Sequence, residues 1–319
     1  MNKSELIKRK KRKRIIRIRR MILFTVMLLI STIIMFQIFD KIDRFNTNSY
    51  KEAEALTSDN ENVTENIEED KTDKEEETVN ELDNSGYLSL EEDINADDAS
   101  KVLPETMYKW NFYRQDGKKI AYLTFDDGPS EHSTEKILDI LNQNDIKATF
   151  FTLGSSIEKN SKAQQLLKRM ANEGHAIGSH GYSHDYSILY PNRTVDVQAV
   201  SNDFKKNDEI LKEMLGKDFS TRVIRLPGGH SSWKGTETLD KYLEESNIWQ
   251  VDWNALNGDA EGRDFPKEVL LNRLKETVGD QDVVIILMHD TDNKKGTVEY
   301  LQSAIDYLKS QGFEFRTLK

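Results

Sequence analysis

Apolar positions follow two patterns along the chain. From Met21 to Phe39 (MILFTVMLLISTIIMFQIF) they run for nineteen residues without a charge. A helix of that length reaches about 28 Å at 1.5 Å per residue, close to the roughly 30 Å of bilayer hydrocarbon, so the run predicts a transmembrane helix. No A-x-A-like cleavage pattern follows, which favours a retained anchor over a removed signal peptide.

From Lys118 onward the pattern becomes short apolar runs alternating with amphipathic stretches. Lys119–Phe125 reads as a buried strand and Ser133–Asn144 as a helix with Ile137, Leu138, Ile140 and Leu141 on one side. Ala148–Leu153, His175–Ser179, Arg222–Leu226, Ile248–Trp253, Val283–Met288 and Phe313–Thr317 continue the strands. Helices are expected at Ser161–Glu173, Thr194–Leu215, Gly235–Glu245, Pro266–Val278 and Val298–Gln311. Such alternation implies an α/β fold with parallel strands joined by crossovers, about seven of them in an open sheet or an irregular barrel.

Charge divides the chain further. The 319 residues carry a net −11, but residues 1–20 hold eleven Lys or Arg and one Glu, while 51–100 hold nineteen Asp or Glu against three Lys. The basic run directly precedes the apolar one, so it reads as a cytoplasmic topology signal facing anionic lipid, and no nucleic-acid partner is expected. The acidic segment lacks apolar runs and cannot offset its ordering entropy, so it reads as an extended, disordered linker. The expected organisation is a cytoplasmic tail at 1–20, a span at 21–39, an extracytoplasmic linker at 40–115 and one α/β domain at 116–319. The chain has no cysteine, which excludes disulfides, thiolate metal sites and cysteine catalysis.

Polar residues collect at the ends of the expected strands, where parallel α/β folds place their chemistry. The first strand runs into Asp126-Asp127-Gly128-Pro129, which is turn chemistry but also an adjacent carboxylate pair that wants a cation. The third ends in His180-Gly181-Tyr182-Ser183-His184. Two imidazoles and one carboxylate make the three-ligand set of a catalytic zinc; surface histidines are the plainer alternative. Arg225-Leu226-Pro227-Gly228-Gly229-His230 follows the next strand, and an arginine there can hold a carboxylate by a bidentate pair. Asp252-Trp253 and His289-Asp290 close two more. A metal site with a spare carboxylate and a spare imidazole fits hydrolysis of an amide-like bond.

These residues resemble the polysaccharide deacetylases of carbohydrate esterase family 4, the NodB-homology domain, over roughly Lys118–Lys319. Thr124–Pro129 matches the family's T-F-D-D-G-P motif, His180 to His184 its H-[S/T]-x-x-H, Arg225-Leu226-Pro227 its R-x-P, Asp252-Trp253 its D-W and Leu287-Met288-His289 its L-x-H. The resemblance implies a distorted (β/α) barrel of about seven parallel strands, with Asp127, His180 and His184 holding Zn²⁺ (Co²⁺ or another divalent ion also suits the set). It implies Asp126 as general base oriented by Arg225, and His289 as general acid steered by Asp252, with Asp259 as runner-up. Pro227, Gly228, Trp253 and Leu287 would face the substrate. Gly181 departs from the family's Ser or Thr. The implied reaction removes acetyl groups from a cell-surface glycan, with N-acetylglucosamine in peptidoglycan first in line. Poly-N-acetylglucosamine, chitin oligomers, N-acetylmuramic acid and O-acetyl xylan are alternatives, as is a glycan-binding module with a dead site. No obligate protein partner is inferred. Tyr182, Trp233, Trp249 and His230 are further candidates for the cleft; His132 and His175 are expected to be structural or exposed.

Overall fold

The computed structural model describes residues 87–262 and 265–319. The expected basic tail, the apolar run at 21–39 and the acidic stretch up to residue 86 lie outside the described residues. Among the described residues no helix is long and apolar enough to cross a membrane.

Two short elements come first, β1 (Ala96–Asp97) and α1 (Ala99–Glu105). Eight strands then follow: β2 (Lys119–Asp126), β3 (Thr149–Thr152), β4 (Ala176–Ser179), β5 (Val223–Ile224), β6 (Trp249–Gln250), β7 (Ala255–Leu256), β8 (Val283–His289) and β9 (Phe313–Phe315). Between them lie α2 (Ser133–Gln143), α3 (Gly154–Ile157), α4 (Ser161–Asn172), α5 (Tyr186–Leu189), α6 (Val197–Leu215), α7 (Glu237–Glu245), α8 (Lys267–Val278) and α9 (Lys295–Ser310), and β10 (Thr317–Leu318) ends the chain.

The eight strands form one parallel sheet, seven of them in the spatial order β6-β5-β4-β3-β2-β8-β7 and β9 paired with β2 off this path. β8 runs along β2 from Ile120 to Asp126, whereas the other neighbours divide the length of β2: β9 pairs at Lys119–Ala121 and β3 at Thr124–Asp126. The path stops at β6 and β7, which do not pair, so the curled sheet is an open barrel of about seven strands, the form the resemblance implies and one of the two that the alternation alone left open.

Side chains alternate across β2, and each face has its own core. Ile120 and Tyr122 join Phe151, Val223, Val251, Val283 and Ile285 on one side. Ala121, Leu123 and Phe125 join Phe150, Val284, Ile286 and Met288 on the other, under Leu138 and Leu141 of α2, Leu167 of α4, Leu211 of α6 and Leu301 and Ile305 of α9. Burial on both faces is why these strands read as unbroken apolar runs. Each fully buried aliphatic or aromatic side chain contributes about 1.5–3 kcal/mol of transfer free energy. Helix starts follow their caps: Asn160 accepts from Lys162 N and Ala163 N ahead of α4, and Asp196 accepts from Ala199 N ahead of α6, later than the expected Thr194. The strand expected over Ile248–Trp253 shrinks to Trp249–Gln250, because the Val251 carbonyl accepts from Arg225 Nε (2.8 Å).

The linker was expected to reach residue 115, but from Tyr87 onward the chain belongs to the fold. β1 pairs with β10, and Ala99 and Leu103 of α1 are fully buried in the inner cluster beside Ile120 and Val283, at the start of β2 and β8. The acidic residues here have partners far along the chain: Asp93 with Lys319 (2.7 Å), Asp97 with Arg316 (2.7 Å) and Asp98 with Arg222 (2.5 Å). Composition alone counted these carboxylates as unpaired. This segment covers the end of the sheet where β2 and β8 begin, and the chemistry sits where they end.

Candidate active site

β2 delivers Asp126 on the inward face, two residues after Thr124. Strict alternation would send Asp127 to the opposite face. It does not, because Asp127 leaves the strand with φ +74°. Both carboxylates therefore reach one cleft: Asp126 Oδ2 lies 3.9 Å and Asp127 Oδ1 3.3 Å from Nε2 of His180. Gly128 makes the turn possible, since a Cβ there would lie 2.0 Å from Oδ2 of the buried Asp290.

His180 follows β4 and is almost fully buried. Its Nδ1 is hydrogen-bonded to the Arg225 carbonyl (2.8 Å), which leaves the Nε2 lone pair for the cleft. His184, at φ +54°, brings its Nε2 to 3.5 Å from Asp127 Oδ1. The ligand atoms of Asp127, His180 and His184 all lie within 4.8 Å of one another. Ligands about 2.0–2.2 Å from a tetrahedral ion are roughly 3.3 Å apart, so the spacing fits a shared divalent cation. Asp127 Oδ1 is buried and has no hydrogen-bond donor among the described residues, which is what a carboxylate oxygen reserved for a cation looks like.

Arg225 is completely buried. Its Nη1 donates to Asp126 Oδ1 (2.7 Å) and Thr124 Oγ1 (2.8 Å), Nη2 donates to the Asp252 carbonyl (3.3 Å), and its guanidinium lies 4.3 Å over the Phe151 ring. So many fixed contacts leave the guanidinium one position, and Asp126 is oriented by it.

His289 stands opposite Asp126 in the β2–β8 register. Here one expectation is corrected. His289 Nδ1 donates to Asp259 Oδ1 (2.8 Å), and Asp259 Oδ2 accepts from His289 N (2.9 Å) and Thr297 Oγ1 (2.8 Å). Asp252 instead accepts from His230 N (3.0 Å) and Gln250 Nε2 (2.7 Å). The reason is topological: Asp259 follows β7, which is bonded to β8, whereas Asp252 follows β6 at the other end of the sheet path. Asp259, the runner-up for this role, holds the imidazole, and the carboxylate of the Asp-Trp pair does not.

Charge sets the protonation pattern. Burial pushes Asp127 up, but the close approach and charge of His180, with the charges of His289 and His184, hold its carboxyl well below the usual range. Burial pulls His289 down, yet the Asp259 bond and charge, with Asp126 and Asp127, push it up to about 9. Burial likewise opposes protonation of His180, and Asp126 and Asp127 outweigh it, whereas in His184 burial prevails and the pKa falls. Burial raises Asp290 to about 7.

The remaining candidates fall into two groups. Leu287 lies two residues before His289 on the same face of β8, and Trp253 stands 5.6 Å from the Arg225 guanidinium and against Gly229. Trp233 Nε1 donates to the Pro227 carbonyl (2.9 Å). Gly228 has φ +79°, and its N–H makes no hydrogen bond among the described residues. Each of these adjoins a residue of the site. Tyr186 belongs with them, although no motif marked it. It is 43% exposed, its ring is 5.1 Å from that of His184, and its hydroxyl would sit 3.1 Å from a Cβ on Gly228. Its only signal in the chain is its place two residues after His184. The others serve elsewhere. His175 Nδ1 accepts from Ala148 N (3.1 Å) in the core, His230 pairs with Asp240 (2.7 Å), and His132 is exposed ahead of α2. Tyr182 is engaged by Glu158 and Lys206, and Trp249 stacks with Tyr108 beyond α1.

Comparison with known proteins agrees with this geometry. Residues 113–244 match the family described as polysaccharide deacetylase. A peptidoglycan-N-acetylglucosamine deacetylase of Bacillus cereus is 35% identical over 243 residues, covering 72% of this chain and 79% of its own. Among solved structures, a Streptococcus mutans CE4 esterase aligns with a TM-score of 0.64 at 38% identity, over 70% of this chain and 92% of its own. The catalytic domain of a peptidoglycan N-acetylglucosamine deacetylase from Eubacterium rectale aligns with a TM-score of 0.56 at 27% identity, over 66% and 92% of the two chains. With its motif residues gathered at the open end of the barrel, the chain belongs to the polysaccharide deacetylase family, and is a hydrolase that removes acetyl groups from a glycan.

Proposed function

We propose that the substrate is N-acetylglucosamine in peptidoglycan and that the enzyme works with a divalent cation, zinc by the chemistry of its donors, held by Asp127, His180 and His184. One observation carries the metal reading: a buried, donor-free Asp127 oxygen with two imidazole nitrogens at 3.3 and 3.5 Å. The substrate reading is supported by the names of relatives such as those from B. cereus and E. rectale. When bound, the cation supplies Lewis-acid polarisation of the acetyl carbonyl and acidifies the attacking water.

The protein's own groups do the rest. Asp126, fixed by Arg225, takes a proton from water as its oxygen bonds to the acetyl carbon. The free N–H of Gly228 donates to the oxygen that becomes negative, an interaction worth about 3–4 kcal/mol in comparable sites. His289, charged and held by Asp259, gives its Nε2 proton to the nitrogen as the C–N bond breaks, leaving acetate and an amino sugar. Leu287 receives the acetyl methyl, and Trp253 and Tyr186 flank the sugar. The apolar run at 21–39 anchors the enzyme with this domain outside, where the wall polymer is. Acetate release from peptidoglycan, chitin oligomers and O-acetyl xylan, with chelator and metal add-back, tests the reading. Preference for peptidoglycan and loss on chelation are expected; equal rates without metal would overturn it.

A further inference from the structure

Gly181 stands where the family resemblance leads one to expect a Ser or Thr bracing the loop between the two histidines. The loop is nevertheless tied down, from a neighbouring helix. Asp203 of α6 accepts from Tyr182 N through Oδ2 (2.7 Å) and from Ser183 N through Oδ1 (3.1 Å). One turn further along α6, the buried Asn207 donates through Nδ2 to Ser179 Oγ (2.8 Å) and to the Thr152 carbonyl (2.9 Å). On the other side, Gly154 N and Ser155 N donate to the carbonyls of Gly181 and Tyr182 (both 3.0 Å). The loop is clamped between α6 and the start of α3.

Gly181 and Asp203 form a matched pair. Gly181 has φ +82°, and a Cβ on it would lie 2.4 Å from Asp203 Oδ2. A side chain at 181 would expel the carboxylate that orders the next two residues. Beyond them His184 sits at φ +54°, a conformation that a non-glycine residue keeps only when its surroundings impose it.

We infer that Asp203 is a positioning residue for the metal-binding histidines, replacing from α6 the brace that Gly181 cannot supply within the loop. Its carboxylate fixes the path from His180 to His184 and so brings His184 Nε2 to Asp127. The inference rests on the metal reading above.

The test is titration of the metal-free full chain with Co²⁺, read by visible absorption, alongside thermal unfolding of the metal-free protein. Asp203→Ala should weaken Co²⁺ binding by about 10- to 100-fold, the usual effect of removing a group that orients a ligand, and should alter the spectrum. Asp203→Asn keeps one acceptor and should lose less, which serves as the comparison if the alanine variant folds poorly. Asp208→Ala, also on α6 but paired with Lys212 (2.6 Å), should bind as the wild type does. Wild-type affinity and spectrum in Asp203→Ala would overturn this inference alone. Failure of the wild-type chain to take up Co²⁺ would remove the metal reading and this inference together.

Discussion

Arg225 Nη1 and Asp126 Oδ1 are 2.7 Å apart, and the arginine has no exposed surface. Removing one member of a buried, hydrogen-bonded pair leaves an unmatched charge, at a cost of about 3–5 kcal/mol. Arg225→Met should therefore destabilise the domain by that order, measured by urea unfolding, and abolish acetate release. Asp126→Asn preserves shape and should still bind metal, while turnover falls about 10²–10⁴-fold with loss of the proton acceptor. Wild-type turnover in that variant would show that another group is the base.

His289 is pushed up to about 9, chiefly by Asp259 working against burial. Its protonated form is the one the fold stabilises. That contribution is complete below the ordinary histidine pKa and is lost as pH rises through about 9. If His289 is the acid, the rate of deacetylation should fall on the alkaline side with its titration. Asp259→Asn should move that limb to lower pH, whereas Asp252→Asn should leave it in place. Matching pH–rate profiles in wild type and Asp259→Asn would rule the pairing out as the source of the limb.

A cation shared by Asp127, His180 and His184 should stabilise the folded chain by mass action. At a free Zn²⁺ concentration a hundred times its Kd the gain is about 2.7 kcal/mol, visible as a rise in the unfolding temperature. His184→Ala should abolish the rise. Because Asp126 and Asp127 outweigh burial and favour the proton on His180, metal affinity should weaken as pH falls and protons compete.

Gly128 faces Asp290 with no room for a methyl group, 2.0 Å from Oδ2. Gly128→Ala should destabilise the domain by about 1–3 kcal/mol and misplace Asp127, read as a lower unfolding temperature together with weaker metal binding. Unchanged metal affinity would show that the turn absorbs the group.

Leu103 is fully buried although it lies in a segment whose composition suggests a linker. Leu103→Ala should cost about 2–5 kcal/mol. A fragment starting at residue 116 should unfold at lower temperature than one starting at 87, and equal stabilities would return residues 87–115 to the linker.

The longer strands and most helices were legible because a sheet buried on both faces needs unbroken apolar runs, and Lys119–Phe125 and Val283–Met288 have no other reading, whereas the two-residue β7 has no such run to mark it. Five motifs at successive strand ends likewise pointed to Asp126, Asp127, His180, His184, Arg225 and His289, since parallel strands carry their last residues to one rim. Three features depended on the tertiary structure. Asp259 rather than Asp252 reaches His289, because sheet order and not chain proximity decides which loop stands beside β8. Residues 87–115 join the fold because Asp93, Asp97 and Asp98 meet cations more than a hundred residues away, which a local count of charge cannot see. Gly181 is tolerated because Asp203 approaches it across space, and no pattern within the loop records a partner contributed by another helix.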